Sequence, residues 1–112
     1  MITELEEYYL QKEEPVRGCL LGMRDFILNF NSQITEAFSY RMPMFKLNGK
    51  LFCYLWTMKD TGIPYIGIYN TDNIEHPGLI RGDRKRVRIM HLDPEADLPV
   101  EDLEVIFMKL IS

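Results

Sequence analysis

The pair Asn48-Gly49 stands between Met44-Phe45-Lys46-Leu47 and Lys50-Leu51-Phe52-Cys53-Tyr54-Leu55-Trp56 and constrains the fold more than any other local feature. Both central residues of a two-residue hairpin turn need positive φ, which Asn and Gly supply with the least strain. The flanking apolar runs therefore pair as antiparallel strands. With that turn, Leu47 opposes Lys50, Phe45 opposes Phe52 and Met44 opposes Cys53, and side chains alternate between faces. One face is expected to carry Met42, Met44, Leu51, Cys53 and Leu55. The other carries Pro43, Phe45, Phe52, Tyr54 and Trp56, with Arg41 if no bulge intervenes. Pro43 has no N–H to give a ladder, so it favours a bulge or an edge beside Arg41.

A further strand over 65–69 divides by residue type in the same way, with Ile66 and Ile68 on the aliphatic side and Tyr65, Gly67 and Tyr69 on the other. Compact side chains without polar atoms suit a dry core under helices. Tyrosine hydroxyls and the Trp56 N–H need partners or water, which suits the opposite side. Uncovered, that side is an aromatic surface for contact with a ligand or partner. Alternatively the C-terminal helix or the long loop covers it as a second small core, or a homodimer buries it.

Helical periodicity brackets these strands. Thr3 and Glu6 have the spacing of a capping box, and the helix they open ends near Lys12. From Pro15, the residues Val16, Cys19, Leu20, Met23, Ile27 and Phe30 recur at steps of three and four, the signature of a helix face. Alternation resumes at 34–40, and Arg86 to Leu92 reads as a last strand. The breakers His76-Pro77-Gly78 and Gly82-Asp83 leave 71–85 as a loop. Pro99 opens a final helix with Val100, Leu103, Ile106, Phe107 and Leu110 on one side, acids early and Lys109 late, as the helix dipole favours. Strands joined by short turns between helices predict a two-layer α+β fold: an antiparallel sheet of four or five strands, two N-terminal helices and one C-terminal helix.

The 112 residues, 46% hydrophobic and 27% charged, fit one soluble domain over 1–112. A net charge of −4 argues against nucleic acid as the partner. Cys19 and Cys53 match no metal or redox spacing and read as buried thiols in a reducing compartment. The acidic first residues do not form a signal peptide, and no apolar run has the length of a membrane span, so the expected location is cytoplasmic, away from membranes.

The stretch Ser39-Tyr40-Arg41-Met42-Pro43-Met44-Phe45, followed by Gly49-Lys50, Tyr54, Lys59 and Ile66-Gly67-Ile68-Tyr69, resembles the YdhG-like family of small bacterial proteins. The resemblance extends to the basic strand within 85–92 and the helix within 99–111, and so spans nearly the whole chain. It implies helices packed on an antiparallel sheet. Since some members are described as frataxin-like iron chaperones, it also implies iron as a candidate cargo. Tyr40, Pro43, Phe45, Gly49 and Lys50 match the family pattern. The 76–84 region departs from it, being shorter and more basic, and no metal-ligand motif carries over.

Candidate chemistry is sparse. Glu4, Glu6, Glu7, Glu13 and Glu14 offer hard oxygens to a metal, but acids at a helix start are also ordinary dipole partners. His76 and His91 lack a third ligand at useful spacing. Arg81, Arg84, Lys85, Arg86 and Arg88 form a basic cluster around Asp83, which docks an anion or offsets the acidic run over 93–102. No Ser-His-Asp or Cys-His arrangement and no phosphate-binding glycine loop stands in the chain, so no catalytic residue, cofactor or metal ligand is named. The reading is a binding module for a small molecule or protein partner rather than an enzyme, using Phe45, Phe52, Tyr54, Trp56, Tyr65 and Tyr69, with Arg41 and Pro43 at the rim. The alternative is a frataxin-like iron-binding chaperone.

Overall fold

Three helices and five strands follow one another in the expected order in the computed structural model, which describes residues 3–82 and 84–111. Asp83, placed by sequence within the basic cluster and a turn, lies outside the described residues. The elements are α1 (Glu4–Leu10), α2 (Val16–Phe30), β1 (Ile34–Ser39), β2 (Met42–Leu47), β3 (Lys50–Thr57), β4 (Pro64–Tyr69), β5 (Val87–His91) and α3 (Val100–Ile111). The strands form one antiparallel sheet in sequence order, β1-β2-β3-β4-β5. Thr3 caps α1 by accepting the Glu6 N–H at 3.1 Å.

All three helices bury their apolar stripes against the same side of the sheet. Tyr9 of α1, Leu20, Met23 and Ile27 of α2, and Leu103, Ile106 and Phe107 of α3 share one core with Cys53, Leu55, Ile66 and Ile68. Phe107 anchors α3, with ring centroids 4.8 Å from Phe52, 5.2 Å from Phe30 and 5.8 Å from Phe26. Cys19 and Cys53 are both buried free thiols. Burial pushes the Cys53 thiol well above its ordinary value, which disfavours the reactive thiolate.

The register of the central hairpin departs from simple alternation. Leu47 pairs with Lys50 and Lys46 with Leu51, but Phe45 then pairs with Cys53 and Met44 with Tyr54. Phe52 is the extra residue of a β-bulge, so it falls on the same side as Cys53. Two expectations are thereby corrected: Phe45 and Phe52 lie in the helix-side core, whereas Met42, Met44 and Leu51 lie on the opposite face. Pro43 is corrected too. It is buried and pairs with Phe38, which packs against the helix-side core. Lys46 gives the physical reason. In an unbroken register Lys46 shares a face with Cys53, and burying Cys53 and Leu55 would bury its ammonium, at several kcal/mol without a partner. One inserted residue releases it.

The β1–β2 hairpin turns on Tyr40 (φ 53°) and Arg41 (φ 63°), two side chains in the left-handed region that favours glycine and asparagine. Arg41 is therefore a turn residue rather than a member of the sheet face.

Glu36 pins the helical layer to β1. Its carboxylate accepts from Arg24 Nε of α2 at 2.7 Å and from the Tyr9 hydroxyl of α1 at 2.8 Å, and its side chain is 7% exposed. Elsewhere, Arg88 ties down the 71–74 segment, donating to Thr71 Oγ1 at 2.9 Å and to the carbonyls of Thr71 and Ile74. Arg81 pairs with Asp72 and donates to the Lys85 carbonyl at 3.0 Å. These two cations brace the loop instead of forming a free anion site. His76 accepts the Gly78 N–H at Nδ1 (2.9 Å), and its Nε2 lies 3.3 Å from Asp102, linking the loop to α3.

Tyr9→Phe removes one hydrogen bond to a buried carboxylate and should lower the unfolding free energy by about 1–2 kcal/mol. Arg24→Met strips the countercharge and should cost more, about 3 kcal/mol. Urea denaturation checks both, and an unchanged midpoint in Arg24→Met would show that the ion pair does not hold the layers together.

Candidate interaction surface

The face of the sheet turned away from the helices carries a second apolar cluster. Its buried centre is Met44, Tyr54, Tyr65 and Ile89, and Met42, Leu51, Trp56, Met58, Tyr69 and Val87 surround it half-buried. Among the described residues, no helix contributes to this cluster. Cross-strand register explains the grouping: Met44, Tyr54, Gly67 and Ile89 form one row across four strands, and Trp56, Tyr65 and His91 form the next.

The surface closes itself. Gly67 leaves a gap in the middle of β4, and the Tyr54 ring lies in it; a Cβ at Gly67 would overlap that ring and sit 2.7 Å from its hydroxyl oxygen. Tyr65 and Tyr69 flank Tyr54 with centroids at 6.0 and 6.3 Å, both edge-on. Two arginines complete the cover, with Arg84 5.9 Å from the Tyr65 ring and Arg86 5.6 Å from the Tyr69 ring. Tyr54 and Tyr65 are consequently only 8% and 7% exposed. Burial, with the neighbouring Tyr65 adding, pushes the Tyr54 phenol well above its ordinary value.

Of the residues predicted from sequence, Tyr54, Trp56, Tyr65 and Tyr69 do come together on this face, whereas Phe45, Phe52 and Pro43 do not. Trp56 sits at the sheet end where α1 crosses, and it packs against both cores. Tyr8 stacks on it at 5.7 Å with an interplanar angle of 15°, and Lys12 Nζ lies 4.7 Å from the Tyr8 centroid. The Tyr8 hydroxyl is buried with no hydrogen-bond partner among the described residues, and burial pushes its ionisation well upward. Arg41 is exposed and joins Glu4, Glu7, Tyr8, Gln11 and Phe38 around an open cleft of about 270 Å³ beside α1. Sequence reasoning missed Met42, Met44 and Leu51 as members of the face. Lys46, which could not share a core with Cys53, was the signal that could have found them.

The electrostatics of this face differ from those of the whole chain. Among the described acidic residues, Glu36 alone lies within a strand, and it points to the helical side. The strand positions of the second face thus hold no carboxylate. Lys46 lies on it opposite Leu51, and Arg84 and Arg86 lie over its tyrosines. Glu4, Glu6, Glu7, Glu13 and Glu14 sit in α1 and the α1–α2 connection. Among the described residues, no three His, Cys, Asp or Glu side chains gather where they could hold a metal ion, and no helix is long and apolar enough to cross a membrane. Compared with known protein families, curated proteins and solved structures, the chain matches none.

Gly67→Ala should destabilise by about 1–3 kcal/mol through overpacking against Tyr54. In a Tyr54→Leu background the same change should cost far less; equal costs in both backgrounds, read by thermal unfolding, would contradict the slot. Alkaline titration gives an independent check. Tyr8, Tyr9 and Tyr54 are raised by burial, with the Glu36 charge adding at Tyr9, so the folded chain binds more protons than the unfolded chain above pH 10. Their contribution to stability is complete below pH 10 and is lost as pH rises beyond it. Phenolate absorbance should show these three of the six tyrosines ionising only as the protein unfolds.

Proposed function

We propose that this chain is a small cytoplasmic binding module that receives a protein partner on the helix-free face of its sheet. One observation carries the reading: a contiguous half-buried apolar ring of Met42, Leu51, Met58, Tyr69 and Val87 surrounds a buried centre, and among the described residues α1 meets the cluster at Trp56 through Tyr8 while no helix residue belongs to it. A contiguous apolar patch with a polar rim marks a contact site on a small domain. Its composition is that of interface cores, where aromatic residues, methionine and arginine are enriched and acids depleted. Methionine side chains adapt to the shape of an incoming surface. Tyr69 and Met42 serve as contact residues. Trp56 supports them from beneath, because its ring is already stacked on Tyr8.

A photoreactive benzoylphenylalanine at position 69, on the face, is compared with one at position 105, where Val105 is exposed on α3. Irradiation in cells should give a discrete adduct from position 69 alone. Excess unmodified protein should compete it away, and excess Tyr69→Glu protein should not. Adducts of equal yield from both positions, or from neither, would remove this reading. Ferrous iron, the cargo implied by the YdhG-like resemblance, is titrated anaerobically in parallel, and saturable binding at micromolar metal would move the assignment to iron handling.

A further inference from the structure

We infer that the partner presents an acidic amphipathic helix to this face, an inference that rests on the binding-module reading above. Charge segregation is the leading argument. In a chain of net charge −4, no carboxylate among the described residues stands on the strand positions of the helix-free face, while Lys46, Arg84 and Arg86 stand on or over it. The arginines are held in place, because each guanidinium rests near a tyrosine ring, Arg84 at 5.9 Å and Arg86 at 5.6 Å. A guanidinium oriented by a ring has lost part of its rotamer freedom before binding, and its fork of N–H donors matches a carboxylate.

Size and shape agree. The cluster runs over four strands, β2 to β5, which at a spacing of about 4.8 Å makes it about 14 Å across. A helix of about 10 residues, rising about 1.5 Å per residue, spans it. Laid on the half-buried ring of Met42, Leu51, Tyr69 and Val87, it would add a helical layer on the side that α1, α2 and α3 leave open.

Two other occupants fit less well. Single-stranded nucleic acid needs free ring faces on which bases stack; here Tyr54 lies flat over Gly67, and Tyr65 and Tyr69 are already covered by Arg84 and Arg86. A second copy docking face to face would bring together two faces that each carry Lys46, Arg84 and Arg86 and, among the described residues, no strand carboxylate to pair them, and like charges in an interface oppose association.

The test titrates the ¹⁵N-labelled full chain with a synthetic helical peptide of about 14 residues, leucine and phenylalanine along one side and glutamate along the other. A second peptide replaces every glutamate by lysine. A short oligothymidylate is the third probe, and dilution of the chain alone reports self-association. The glutamate peptide should shift the amides of Met42, Tyr69 and Val87 saturably. Lysine replacement, or the double variant Arg84→Glu/Arg86→Glu, should weaken it by about tenfold. Equal binding of both peptides at these amides would overturn the charge argument and leave the binding face standing. Shifts there with the oligonucleotide in place of the peptides, or a concentration-dependent dimer through the face, would overturn the choice of partner. If no probe and no dilution moves these amides, the inference and the binding-face reading fail together.

Discussion

A single lysine organises the sheet. Lys46 lies one residue from Phe45 and one from Leu47, both of which go to the helical side. Its ammonium must stay with water, because a buried unpaired charge costs more than any neighbouring side chain returns by burial. The opposing strand has to bury Cys53 and Leu55 while leaving Lys46 out, and regular alternation cannot do both. Phe52, inserted as a bulge, resolves the conflict and becomes the ring on which Phe107 docks α3. The seat of the C-terminal helix is thus set by a charge on the neighbouring strand.

Much of the architecture was legible from local chemistry. The Asn48-Gly49 turn with its flanking apolar runs, the three-and-four spacing of α2 and α3, and the alternation over β1 each point to one element type, and the observed element order agrees with all of them. The bulge was hidden because it depends on pairing between strands, and nothing in the Leu51-Phe52-Cys53 sequence marks which residue will be the extra one. The first hairpin was hidden for a different reason. Tyr40 and Arg41 are not turn-forming residues by preference, yet the Ser39–Met42 pairing holds them at positive φ. Here tertiary context overrides a weak local propensity.

The candidate surface divides along the same line. Tyr54, Trp56, Tyr65 and Tyr69 fell on the expected face because β3 beyond the bulge and all of β4 keep strict parity. Phe45, Pro43, Leu51 and the two methionines exchanged places because β2, and β3 before the bulge, take their parity from its far side. The flattening of the surface was not legible at all. It follows from the Tyr54 ring lying over Gly67 and from arginines set against Tyr65 and Tyr69, which the period of a strand cannot reveal.

Gly67 carries a consequence beyond packing. Its missing side chain is what allows a phenol ring to seal the middle of an apolar sheet, between Met44 and Ile89 at the two ends of its row. Any residue that expels the ring would uncover a strip of backbone and aliphatic carbon on a face that no helix guards. Chains altered there would be prone to cluster with one another under heat or crowding, well before their cores melted.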